Sequence, residues 1–283
     1  MLPMLRSLLL MTLGIALLTG SDAASKYLVQ SHPVGQVIGL RQTATLMVLI
    51  PYVMFFSSWR ALRVVDWRGQ LTRGALFLIG SVFIVWSLGV LPLATAITML
   101  FASPLFMVVL SAPLLGERIG RHRWIAVIGG FAGVLIILRP GAESFQWALL
   151  LPLLAALVNA LRDVLTRRLS RTETSIAILF WSNLILMAGG LATLPLGWVA
   201  VTSTAAFWFI AAGIFNGTAH FCIIEALRTG EASVLAPIRY TALLWAAAIG
   251  FIVWGELPEL WLWAGAAVIV GSSLYMIRGE RRR

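Results

Sequence analysis

Asp22-Ala-Ala-Ser-Lys26 returns 141 residues later as Asp163-Val-Leu-Thr-Arg167, and Leu28 returns in step as Leu169. Further along, an offset of 139 pairs Gly116-Glu117 with Gly255-Glu256, Trp124 with Trp263 and Arg139 with Arg278. Each match is short, but their common order and nearly constant offset predict two related halves, residues 1–141 and 142–283.

Between these matches the chain is almost continuously apolar. Hydrophobic residues make up 60% of it, charged residues 11%, and the mean hydropathy is +0.94. A soluble domain of this size could not cover its surface with so few charges. Divided at about 20 residues per span, 283 residues leave little chain outside a bilayer. The net charge of +10 would suit nucleic acid, but its arginines fall in short clusters between apolar runs, which is the positive-inside pattern of a membrane protein. Cys222 is the single cysteine, so no intrachain disulfide can form.

The runs are continuous rather than alternating, so they predict helices and not barrel strands. Ten are expected: Ser7–Val29, Val34–Ser57, Arg73–Gly89, Leu93–Leu115, Trp124–Leu138, Phe145–Leu165, Ser175–Leu196, Ala205–Leu227, Ser233–Trp254 and Leu260–Ile277. The opening run could pass for a signal peptide, but cleavage after it would remove Asp22 from the repeat. With the N-terminus inside, 17 of the 21 Lys and Arg lie at inner loops or termini, and Arg139 alone in an outer loop. Both termini are therefore expected in the cytoplasm. Five spans per half is an odd number, so the second half must run upside down. Inverted repeats of this kind place a substrate near the midplane and work by alternating access.

The chain resembles the drug/metabolite transporter superfamily, in its ten-helix branch with two EamA-type domains. The likeness is carried by Leu91-Pro-Leu-Ala-Thr-Ala96, Ser103-Pro104, Leu115-Gly-Glu117, Gly129-Gly-Phe-Ala-Gly133, Glu231-Ala-Ser-Val-Leu-Ala-Pro237 and Trp254-Gly-Glu256. It implies an all-α integral membrane fold and secondary transport across the inner or plasma membrane, with neither ATP hydrolysis nor a bound cofactor. Ser21-Asp-Ala-Ala-Ser-Lys-Tyr27 is similar to members that move riboflavin, S-adenosylmethionine or other metabolites. Export of a small organic metabolite is the expected function, with uptake the alternative. A membrane-embedded enzyme is a poorer reading, because Asp22 and Asp163 stand near opposite surfaces and build no shared catalytic site. A purely structural membrane protein is the other rival.

The candidate substrate-binding residues are the polar and aromatic ones inside spans. Arg41 and Arg239 are expected at matching depths, Arg41 about seven residues or roughly 10 Å into the second span. Each would bind an anionic group or pair helices. Gln42 and Tyr240 adjoin them. Asn216 and His220 share a face of the eighth span one turn apart, and His220 could carry a coupling proton; exchange is the other form of coupling. Asn159 and Asn183 line the path or bridge helices, and Trp181 and Trp245 are candidates to stack on a planar substrate. Pro104 and Pro237 predict kinks or gating points. Glu117 and Glu256 read as structural, and Gly129, Gly130 and Gly133 as sites of close helix packing.

Overall fold

The computed structural model describes residues 2–56, 59–115, 120–139, 146–229 and 235–281. Glu117 and its neighbours therefore lie outside the described residues, as does the side chain of Pro237.

The chain forms ten membrane-spanning helices in two inverted five-helix repeats. The first five spans are Leu2–Val29, Val34–Phe56, Trp67–Val90, a fourth broken into Leu93–Leu100 and Ser103–Leu115, and Arg121–Leu138. The second five are Leu150–Leu169, Ser175–Leu191, Ser203–Thr229, a ninth that starts with a 3-10 stretch Ala236–Thr241 and continues as Ala242–Trp254, and Leu260–Arg281. Among the described residues, seven helices are long and apolar enough to cross a bilayer, and Trp124–Leu138, Ile238–Trp254 and Leu260–Tyr275 are shorter apolar helices. An even number of spans puts both termini on one face, called here the terminal face; the opposite one is the far face.

Helix packing obeys the repeat. The first span lies along the eighth as the third lies along the sixth; the second packs on the eighth as the third packs on the seventh. The second meets the seventh, the fourth meets the ninth and the fifth meets the tenth, each pairing a span with its own repeat mate. Eight spans thus close a ring in the order 1, 8, 2, 7, 3, 6, 4, 9, while the fifth and tenth pack together at its edge. That outer pair is held by close backbone approach: a Cβ on Gly133 would come within 2.8 Å of the Gly265 carbonyl oxygen.

Local chemistry sets the ends. Asp66 caps the third span by accepting from the Gly69 amide at 2.9 Å, and Glu173 accepts from the Asp66 amide at 3.0 Å, tying that start to the loop before the seventh span. Thr174 caps the seventh span through the Ala177 amide at 3.1 Å and donates to the Ala61 carbonyl at 2.6 Å. At the far face, Gln36 both donates to and accepts from the backbone of Val199, at 2.8 and 3.0 Å.

The structure revises several boundaries: the first span starts at Leu2 rather than Ser7, the sixth runs Leu150–Leu169 rather than Phe145–Leu165, the seventh ends at Leu191 rather than Leu196 and the tenth at Arg281 rather than Ile277. The third span begins at Trp67, six residues before the predicted start, so Arg73 lies well inside a helix and is buried. The fourth and ninth spans are interrupted rather than continuous, around Phe101–Ala102 and over Ala236–Thr241. Pro104 stands at the second residue after the first interruption, and Pro237 falls within the second. The two breaks are themselves repeat-related, since the 139 offset turns Phe101 into Tyr240. Those two rings meet edge to face, with centroids 5.1 Å apart, where the halves adjoin.

Candidate functional site

Polar residues inside the ring collect into two nodes. In the far half, Arg41 of the second span reaches the first span: its Nη1 donates to Ser25 Oγ at 3.0 Å and lies 3.8 Å from Asp22 Oδ1. Ser21, one turn away, donates to the Ala212 carbonyl of the eighth span at 2.8 Å. In the terminal half, Arg73 of the third span donates to Thr166 at 2.7 Å, to the Ile178 carbonyl at 3.3 Å and to Ser182. Asp163 is within electrostatic reach of the same guanidinium. The 141 offset relates Asp22 to Asp163, Ser25 to Thr166 and Arg41 to Ser182. Each half therefore carries an aspartate, a hydroxyl three residues later and a buried guanidinium, although that guanidinium comes from the second span in one half and the third in the other; in the terminal half Arg162 adds a second, 2.9 Å from Asp163 Oδ1.

This arrangement redistributes the predicted residues. Arg41 is 5% exposed and has partners within the protein, which is the helix-pairing geometry. Arg239 does not mirror it: it sits exposed in the 3-10 stretch, whose tighter turn changes the direction of the side chain. Arg73, which the sequence left at a helix end, holds the mirrored place instead. Tyr240 stands beside Ser273 of the tenth span and against Phe101. Trp245 is 38% exposed. Trp181 donates its indole N–H to the Leu62 carbonyl at 2.9 Å and packs edge-on against Trp67, so it is anchored near the terminal face.

The amides behave differently. Gln42 is fully buried, yet neither end of its carboxamide has a partner among the described residues, and the Asn183 and Asn216 side-chain oxygens are likewise unpartnered. An unpaired buried polar group costs about 1–3 kcal/mol, so these three are suited to meeting a solute or water in another state of the protein. The Asn159 oxygen lies against Gly80. His220 is half-buried within electrostatic reach of Arg162, Arg41 and Arg73.

Toward the terminal face a cavity of about 400 Å³ opens between the second, seventh and eighth spans. Tyr52, Phe180 and Phe221 supply its aromatic wall, and Thr174, Thr218 and Glu225 its polar edge. Tyr52 and Phe221 meet edge to face at 5.1 Å. None of these was singled out from sequence as a binding residue. The aromatic spacing looks like any lipid-facing stripe until the ring closes around it.

The profile of the EamA-like transporter family matches residues 5–139 and again residues 146–278, which together make up nearly the whole chain. The chain belongs to the EamA-like transporter family. Within that family it is 34% identical, over 77% of its length and 72% of the relative's, to a riboflavin transporter of Rhizobium johnstonii. It is 27% identical, over 93% and 90%, to an S-adenosylmethionine uptake transporter of Rickettsia bellii. One solved crystal structure superposes with a TM-score of 0.67 over 98% of both chains at 21% identity, which shows the fold alone. Like its family, this EamA-type chain is a multi-pass membrane transporter of small metabolites.

Proposed function

We propose that the protein takes up a neutral, planar heteroaromatic metabolite of the riboflavin class across the plasma membrane by alternating access. The observation that carries this is the cavity at the terminal face. Its volume of about 400 Å³ lies in the roughly 300–1,000 Å³ range of small-molecule sites. Its wall of Tyr52, Phe180 and Phe221 suits a flat ring system. Deeper in, Arg41, Arg73 and Arg162 stand with Asp22 and Asp163, a balance that disfavours a sulfonium cation and tolerates a neutral solute. Gln42, Asn183 and Asn216 offer amide hydrogen bonds of the kind a heterocyclic edge with N–H and C=O groups can satisfy. Both named relatives reported above are metabolite transporters, and one is named for uptake. Uptake is therefore preferred to the export expected from sequence.

Counterflow in proteoliposomes tests the substrate. Labelled riboflavin should accumulate against a preloaded unlabelled pool and S-adenosylmethionine should not. Counterflow of S-adenosylmethionine alone would reject the flavin class. Phe180→Ala should weaken flavin transport about tenfold, the effect of losing roughly 1.4 kcal/mol of ring contact.

We propose that the terminal face lies in the cytoplasm, a reading supported by the arginine distribution. In a Cys222→Ser background, Leu196→Cys in the loop after the seventh span should react with an impermeant thiol reagent on intact cells. Arg63→Cys should react only after permeabilisation. The opposite pattern would invert the topology.

A further inference from the structure

The cavity opens toward the terminal face, and at the opposite end an ion pair between the buried Lys26 and the half-buried Glu256 fastens the ring. Lys26, one turn past Asp22 on the first span, places its ammonium 2.6 Å from Glu256 Oε1. The same ammonium donates to the Leu91 carbonyl at 2.6 Å and lies 5.3 Å from the ring centre of Trp254. The other oxygen of Glu256 accepts from the Leu93 amide at 2.9 Å. Gly255 makes this possible: at φ 66° it turns the chain out of the ninth span so that Glu256 folds back.

Three moving parts therefore converge on two side chains. Lys26 belongs to the first span, Leu91 and Leu93 to the reversal between the third and fourth, and Glu256 to the link between the ninth and tenth. The first two are in one repeat and Glu256 is in the other. Beneath them Ala23, Leu91, Leu93 and Ala94 form part of one buried cluster, so the seal is apolar below and ionic above. Inverted repeats change access by shifting against one another, and a pair bridging the repeats at the closed end cannot survive that shift intact.

We infer that Lys26 and Glu256 are the far-face latch of the transport cycle: paired while the cavity is open to the terminal face, and parted when the far face opens. The inference rests on the alternating-access reading above. Accessibility can be read without substrate, so failure to carry a flavin would leave the latch standing, and failure of the latch would leave the substrate assignment standing.

Two reporter cysteines in a Cys222→Ser background decide it, using purified protein in lipid nanodiscs, where both faces are open to reagent. Ala23→Cys lies beneath the latch, three residues before Lys26 on one helix face, and Thr218→Cys lines the terminal cavity. Lys26→Met should speed thiol labelling at position 23 about tenfold and slow it at position 218, because a fixed population is being redistributed. Glu256→Gln keeps an oxygen for the Leu93 amide and is the gentler variant; it should move both rates the same way by less. Unchanged rates in both variants, or rates that rise or fall together at the two positions, would overturn the latch and leave a static helix contact.

Discussion

Arg41→Ala is expected to cost about 3–5 kcal/mol of folded stability, the usual consequence of stranding one member of a buried ion pair. The guanidinium lies 3.8 Å from the Asp22 carboxylate and holds Ser25 as well. Its removal leaves a carboxylate inside the ring with no cation of its own. Thermal unfolding of purified protein in detergent should show the loss. The double variant Asp22→Asn/Arg41→Gln should recover more than half of it, because both charges have gone and the amides can pair. If Arg41→Ala unfolds with the parent and instead impairs transport of an anionic solute only, the arginine is a binding residue and the helix-pairing assignment fails.

Gly190→Ala should be nearly as damaging, for a reason that owes nothing to charge. The second and seventh spans approach so closely here that an added Cβ would collide with the Gly39 backbone and sit 2.9 Å from the Gly35 carbonyl oxygen. The obstacle is main chain and cannot rotate away. Overpacking costs typically 1–3 kcal/mol, and a backbone clash belongs at the upper end, about 3 kcal/mol. Gly271 is the control, since a Cβ there meets nothing within 4 Å. Alanine at position 271 should be neutral or stabilising by up to about 1 kcal/mol through helix propensity. Equal effects at the two glycines would mean that the second and seventh spans are not packed as described.

What could be read from the residues divides along physical lines. Span number follows from apolar runs, and Trp124–Leu138 is visible as a short span because Arg121 and Arg139 bracket it. The early start of the third span is hidden, because Trp67-Arg-Gly-Gln70 looks like a loop to any hydropathy average. It becomes helix because Asp66 caps it and Glu173 holds that cap. This is why Arg73 escaped notice. The depth of Arg41 can be counted, but its partner cannot, since the neighbouring helix is set by tertiary packing. Arg239 misled because its depth was counted as if the kink expected at Pro237 left the helix beyond it regular, whereas a 3-10 stretch, Ala236–Thr241, carries Arg239 and leaves it exposed. The cavity wall is invisible for a further reason: Tyr52, Phe180 and Phe221 come from three spans, and only the order of helices around the ring brings them together.

The two polar nodes are related by the repeat without being copies, with Arg41 on the second span in one half and Arg73 on the third in the other. Had the halves been identical, the protein open to one side would be the protein open to the other turned over by a two-fold rotation, and the two would have equal energy. Unequal nodes remove that degeneracy and give the empty carrier a side on which it waits. Solute arriving there meets a ready site; solute arriving on the other side meets an affinity reduced by the fraction of molecules that face it. A carrier without an energy source must still give equal ratios of maximal rate to half-saturation in the two directions. Any difference in half-saturation across the bilayer is then matched by a difference in maximal rate, and net direction is left to the solute gradient.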